Sequence, residues 1–90
     1  NNIINSRSNL NRYSDFLEMK ELDLHGMTHS KAVLEAENFV LLESQDELFE
    51  CKLITGNSMK MKSVIVEMLE GHDFKWWIPA WNTGEIIVHF

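Results

Sequence analysis

The chain is short of the residues that break or brace a fold. One proline and four glycines among 90 residues exclude a collagen-like chain. The single cysteine, Cys51, excludes a disulfide scaffold. No run of about 18 apolar residues occurs, so no spanning helix and no membrane partner are expected. No basic segment followed by an apolar one opens the chain as a secretory leader would. A lone thiol without a leader fits a reducing, cytoplasmic setting. The first residue is Asn1 rather than Met, as in a piece cut from a larger parent chain.

What is present fits one small folded unit. The composition is 44% hydrophobic and 24% charged, too apolar for global disorder. A chain of this size buries about 60–65% of its unfolded surface, enough for one core. Charge is unevenly placed. Fourteen acidic residues against eight basic ones give a net charge of −6. Glu35, Glu37, Glu43, Asp46, Glu47 and Glu50 fall in one stretch without Lys or Arg, whereas residues 51–66 carry Lys52, Lys60 and Lys62 and no acid. The excess of acid argues against tight nonspecific binding to nucleic acid. A local basic patch can still hold one phosphate-bearing segment.

Residues 1–19 read as an N-terminal arm. Positions 1–14 are rich in Asn and Ser without a sustained period, and one helical turn is expected at Asp15–Met19. Arg7, Arg12 and Tyr13 could touch a nucleic acid, but a loosely docked terminus is the favoured reading. Residues 20–90 read as the domain. Glu21–His25 alternates polar and apolar, which makes a short strand ended by Gly26. Thr28 caps a helix with an apolar stripe at Ala32, Val33, Ala36, Phe39 and Val40, fading near Ser44–Asp46. Leu48–Thr55 is a second strand. Asn57 or Ser58 caps a second helix carrying Met61, Val64, Ile65, Met68 and Leu69, with Gly71 as its terminating residue. Phe74–Trp81 is a third strand, placed at an edge or bulge by Pro79. After a turn at Asn82–Gly84, Glu85–Phe90 alternates as a fourth. The order βαβαββ predicts an α/β, two-layer sandwich of two helices on a four-stranded mixed sheet.

Two motifs could carry chemistry. Asp23 and His25 lie two apart on a strand, so both leave the same face at its carboxyl end. An imidazole titrates near neutrality, and a neighbouring carboxylate can fix its tautomer, hold its imidazolium or bind a metal, which suits proton transfer. The residue types alone fit a purely structural role as well. The second motif is Thr55-Gly56-Asn57-Ser58, leading to Lys60 and Lys62 at the start of a helix. Free N–H groups and the positive end of the helix dipole favour an anion there. A strand–glycine–helix junction is common and usually structural, so the weight lies in the combination. If the two strands are parallel neighbours, both motifs lie at the carboxyl edge, where open α/β sheets place ligands. A phosphodiester fits a proton-transfer pair beside an anion-binding turn.

The segment Leu22-Asp23-Leu24-His25-Gly26-Met27-Thr28 resembles the LDLHG-x-T signature of the Smr (small MutS-related) domain. Thr55-Gly56-Asn57-Ser58 falls where that family carries a TGxG-type turn, with Ser58 in place of the second glycine and Asn57 in place of the usual basic residue. The resemblance covers about residues 20–90. It implies a fold similar to the C-terminal domain of a bacterial translation initiation factor. It also implies nucleic-acid binding, with nicking or endonucleolytic cleavage of DNA or RNA in some members. It assigns cleavage to Asp23 and His25, and binding or positioning to Thr55, Gly56, Asn57 and Ser58.

Other residues carry less. Trp76, Trp77 and Trp81 invite base stacking. Trp76 and Trp77 are consecutive and must point to opposite faces of a strand, so packing in the core or against the arm is favoured. His29, in the first turn of the first helix, is at best an auxiliary contact. His72-Asp73 reads as a solvated loop pair and His89 as a residue on the polar side of the last strand. Met61 and Met68 are expected in the core. No His/Cys spacing resembles a zinc site. The preferred reading is an endonuclease in which His25 is general base or acid and Asp23 orients it or holds a divalent cation such as Mg2+. Gly56, Asn57, Ser58, Lys60 and Lys62 would bind phosphate. With RNA, the 2′-hydroxyl could attack and no metal would be required. The alternatives are a noncatalytic nucleic-acid-binding module and a protein-interaction adaptor docking through the acidic Glu35–Glu50 face.

Overall fold

In the segment after Met19, Leu22 packs toward the core and Leu24 is fully buried, while Glu21 and Asp23 are exposed on the other side. That split makes β1 (Lys20–Asp23), the first strand of the computed structural model, which describes residues 19–90. The expected arm, with Arg7, Arg12, Tyr13 and the turn drawn at Asp15–Met19, lies outside the described residues save for Met19. The remaining elements are α1 (His29–Glu43), β2 (Glu50–Ile54), α2 (Met59–Gly71), β3 (Lys75–Trp77) and β4 (Glu85–His89). They run βαβαββ and form a four-stranded mixed sheet in the order β1-β2-β4-β3, with two helices. β1 and β2 are parallel, and β4 is antiparallel to both β2 and β3. The first three strands therefore point the same way, and Asp23, Ile54 and Trp77 end them at one rim of the sheet.

The strand register sorts the residues into two faces. Leu22, Leu53 and Ile86 stand in one row and Cys51, Val88 and Trp76 in the next, all toward the helices. Ala32, Ala36 and Val40 of α1 and Met61, Ile65 and Leu69 of α2 cover them. Burying a Val, Leu or Ile side chain of this kind stabilises the fold by about 1.5–3 kcal/mol. Cys51 is fully buried here, and burial pushes its thiol up to about 12. On the other face, Glu21, Lys52, Ile87 and Trp77 share a row, with Asp23, Ile54 and Glu85 beside it. Lys52 lies 3.8 Å from Glu21 and 3.4 Å from Glu85, so its charge is spent on that face. The basic stretch read from residues 51–66 thus reduces to Lys60 and Lys62.

Element ends follow local chemistry. Thr28 and Ser58 cap α1 and α2, their hydroxyls accepting from the N–H groups of Lys31 at 3.3 Å and Met61 at 3.0 Å. β2 is shorter than the expected Leu48–Thr55, and Leu48 bonds Asp46 in the preceding turn instead. β3 covers only Lys75–Trp77 of the expected Phe74–Trp81. Beyond it the chain turns over a buried Pro79, which has no N–H for a ladder. The exit of α2 also differs from the expectation at Gly71, which stays within the helix. Asp73 takes the left-handed conformation at φ 63°, with Asp73 N–H bonding Glu70 O at 3.1 Å and Phe74 N–H bonding Leu69 O at 3.1 Å. The neighbouring His72 is engaged as well: its Nε2 lies 2.7 Å from Glu37 Oε2 and ties α2 to α1.

A glycine adopts the left-handed conformation without the steric penalty that a side chain brings. Asp73→Gly should raise stability by about 1 kcal/mol in urea unfolding, with no change in the slope. A destabilised variant would contradict this account of the helix exit.

Candidate functional site

The strand expected to reach His25 ends at Asp23; His25 stands in the turn that the Met27 N–H closes onto Leu24 O, and its geometry is set by the carboxylate two residues earlier. Asp23 Oδ1 accepts from the His25 backbone N–H at 3.0 Å and lies 2.6 Å from His25 Nδ1. With Nδ1 carrying the proton toward Asp23, the lone pair of the neutral ring sits on Nε2. Nε2 has no partner among the described residues, and the His25 side chain is 68% exposed. The hydrogen bond from the His25 side chain, followed by that from its backbone, holds the Asp23 carboxyl below its usual value of 3.8. Asp23 is therefore charged throughout the neutral range.

Across from this pair stands the turn that ends β2. Gly56 has φ +71°, a conformation open to glycine, and a side chain there would stand 3.5 Å from His25 Cβ. The turn is held from the β3–β4 loop. The Gly84 carbonyl accepts from the N–H groups of Thr55 at 2.8 Å and Gly56 at 3.1 Å. The Thr55 hydroxyl is directed at the same oxygen at 3.2 Å and at Gly56 O at 3.0 Å. Thr55 is only 2% exposed. It therefore holds the turn from inside rather than offering its hydroxyl to a ligand, and the Gly56 N–H is likewise taken.

The unclaimed donors lie one step further on. The N–H groups of Asn57, Ser58, Met59 and Lys60 find no acceptor among the described residues. Lys62 reaches back so that its Nζ donates to Gly56 O at 2.9 Å, which places an ammonium against the turn. Lys60 is exposed and forms no ion pair among the described residues. Thus Asn57, Ser58 and Lys62 stand beside Gly56, opposite Asp23 and His25, and Lys60 follows in the first turn of α2.

Both helices begin at this rim, and their charges run against ordinary helix practice. Neither has an acid in its first turn or a base in its last. Acids at the start and bases at the end would each stabilise a helix by about 0.3–1 kcal/mol. Here Lys31, Lys60 and Lys62 sit in the first turns instead. Lys31 went unremarked in the sequence, where its signal was the absence of any acid in the first turn after Thr28. The acids Glu43, Asp46, Glu47 and Glu50 collect at the opposite rim, where α1 ends and β2 begins. The net charge of −6 therefore does not describe the carboxyl rim.

His29 does not join the rim cluster. It lines a groove between the helices with Ser30, Val33, Val64, Glu67 and Met68. His89 bonds the Phe90 carbonyl at 2.7 Å. Among the described residues no three His, Cys, Asp or Glu side chains are grouped to hold a metal ion. Asp23 offers one unshared carboxylate oxygen, so its residues do not make a Mg2+ site by themselves. No helix of the described residues is long and apolar enough to cross a membrane. Comparison with protein-family models, curated proteins and solved structures finds no match to this chain.

The hydrogen bonds that the Asp23 carboxylate accepts from His25 have a defined pH sense. Their contribution is present above the ordinary carboxylate value and is lost as pH falls through the lowered native value. Carboxyl-carbon NMR should show Asp23 titrating below 3.8 in the intact protein and returning toward that value in His25→Ala. An Asp23 that titrates identically in both proteins would contradict the pairing.

Proposed function

We propose that this chain is a nucleic-acid-binding domain that cleaves a phosphodiester bond at its carboxyl rim, as the resemblance to the Smr family implies. The observation that carries the reading is the closeness of two unlike features. A carboxylate-oriented imidazole with a free Nε2 stands 3.5 Å, Cβ to Cβ position, from a glycine turn followed by four unclaimed N–H groups. A phosphate seated on those N–H groups, with Lys60 and Lys62 beside it, would lie next to the imidazole.

The steps follow from the residues present. His25 Nε2 removes a proton from the attacking hydroxyl, which in RNA is the neighbouring 2′-hydroxyl. The resulting imidazolium keeps its Nδ1–H directed at Asp23, whose negative charge stabilises it. The new O–P bond forms as the bond to the 5′-oxygen breaks. The proton held on Nε2, or one from water, goes to that leaving oxygen. The N–H groups of Asn57 to Lys60 and the two ammonium groups face the negative charge that gathers on the phosphoryl oxygens. With RNA this route runs through the chain's own groups.

A second reading, binding without cleavage, is favoured by one observation. The pair lies in the open, with His25 68% and Asp23 53% exposed at their side chains, so the described residues alone do not exclude water around it. The adaptor reading has less support. Glu37 and Glu43 of the acidic stretch are already engaged with His72 and Lys20, although Leu34, Leu41 and Leu42 leave part of α1 apolar toward solvent.

The deciding assay uses single-stranded RNA, duplex DNA and branched DNA, each with and without Mg2+. His25→Ala should lose about 10²–10⁴-fold in cleavage rate while keeping its affinity. Unchanged cleavage by purified His25→Ala would remove the mechanism, and absence of cleavage by the native chain with retained binding would select the second reading. Lys60→Ala should lower the slope of log affinity against log salt by about 0.7 on a single strand. A slope equal to that of the native chain would take Lys60 out of the phosphate site.

A further inference from the structure

We infer that the carboxyl rim carries a base-stacking station, formed by Trp81 with Trp77 behind it, and that the substrate held there is single-stranded or locally unpaired nucleic acid. The inference rests on the nucleic-acid reading above and names the form of its ligand. The sequence favoured packing for all three tryptophans, and the structure divides them. Trp76 packs against the core, with its Nε1 donating to Glu70 Oε2 at 3.3 Å. Trp77 points to the opposite face, the one that Asp23 shares, and is 40% exposed. Trp81 is 79% exposed, and its ring meets that of Trp77 edge to face, with centroids 5.9 Å apart and planes at 74°.

The loop that holds Trp81 out is braced at both ends. Pro79 is fully buried and its carbonyl accepts from Asn82 N–H at 3.2 Å. Asn82 Oδ1 accepts from Gly84 N–H at 3.0 Å. Gly84 then closes on the Thr55–Gly56 turn through its carbonyl. Two residues, Asn82 and Thr83, separate Trp81 from that anchor, a reach of at most about 11 Å. Neighbouring nucleotides of one extended strand can span such a distance. The ring is therefore tied to the element that presents the unclaimed N–H groups, and its edge is backed by Trp77.

The occupant follows from the chemistry on either side. A flat aromatic face on a loop anchored to the turn that leads into those N–H groups matches a nucleotide, which presents a flat base next to its phosphate. In a duplex the bases are stacked on one another and their faces are covered, so a ring in this position serves an unpaired base. Stacking also gives affinity without positive charge, in a chain with a net charge of −6. An apolar protein segment would use the same rings but would not need the phosphate site beside them.

The test uses the full chain with four probes: a short single-stranded DNA, the same strand as RNA, the DNA strand with abasic sites in its centre, and the blunt DNA duplex. Anisotropy at low salt gives affinity, and tryptophan fluorescence reports ring contact. The single strands should bind more tightly than the duplex and quench the fluorescence. Trp81→Ala should bind the base-bearing strands about 5- to 150-fold more weakly and the abasic strand with unchanged affinity, while Trp81→Phe keeps most of the binding. An unchanged melting temperature shows that Trp81→Ala remains folded. Equal affinity of the native chain for base-bearing and abasic DNA, or equal affinity of native and Trp81→Ala proteins for the base-bearing strands, would overturn the stacking station and leave the nucleic-acid reading standing. A duplex bound as tightly as the single strands would do the same. Failure of all four probes to bind would overturn the nucleic-acid reading itself.

Discussion

One carbonyl oxygen organises the carboxyl rim. Gly84 O takes the N–H groups of Thr55 and Gly56 and faces the buried Thr55 hydroxyl. The donors of the buried Thr55 would otherwise be polar groups left without water at the edge of the core, at a cost of about 1–3 kcal/mol each. The bonds close the end of β2 onto the start of β4. They fix Gly56 in its left-handed conformation next to His25, and they send the following chain outward so that α2 begins with its N–H groups unclaimed. There is little room for change at Gly84: a side chain there would meet Asn82 Oδ1 at 3.3 Å and Gly56 backbone atoms at 3.4 Å.

Around that fixed point the chain forgoes local helix stability in return for a charge pattern. Bases in the first turns and acids toward the ends oppose both helix dipoles, and Lys20 and Trp76 partly offset this by engaging Glu43 and Glu70. The result is one rim with helix N-termini, Lys31, Lys60 and Lys62, and an opposite rim with Glu43, Asp46, Glu47 and Glu50. A domain with net charge −6 can thereby offer an anion one favourable approach and repel it elsewhere. The Asp23–His25 pair stands at the favourable side, where its one carboxylate is already bonded to its own imidazole.

What could be read from the sequence was what local chemistry decides. Period two put Asp23 and His25 on one side at the end of the first strand, although β1 stops at Asp23 and His25 stands in the turn beyond it; Thr28 announced one helix start, and of Asn57 and Ser58 it is Ser58 that caps the other. Element order and short connections then fixed the four-stranded mixed sheet, and with it the closeness of His25 and Gly56. What escaped was nonlocal. The bond from Thr55 to Gly84 joins residues 29 apart, and nothing near either marks it. Lys52 looked like a free cation until the register put Glu21 and Glu85 on either side of it. Gly71 outweighed Asp73 as a helix terminator on propensity alone, yet the buried Phe74 and Leu69 place the reversal two residues later. Alternation could separate Trp76 from Trp77, but Trp81 lies in a loop and has no strand face to assign it.

The central claim is that the end of β1 and the start of α2 form one phosphate-binding rim. The most direct measurement is amide and imidazole NMR of the labelled chain during titration with a short single strand at low salt. The account predicts that the N–H signals of Asn57, Ser58, Met59 and Lys60 and the ring of His25 shift together with one affinity, and that the α1–β2 end of the molecule stays unchanged. Shifts confined to the acidic rim, or separate affinities for His25 and for Asn57–Lys60, would contradict it.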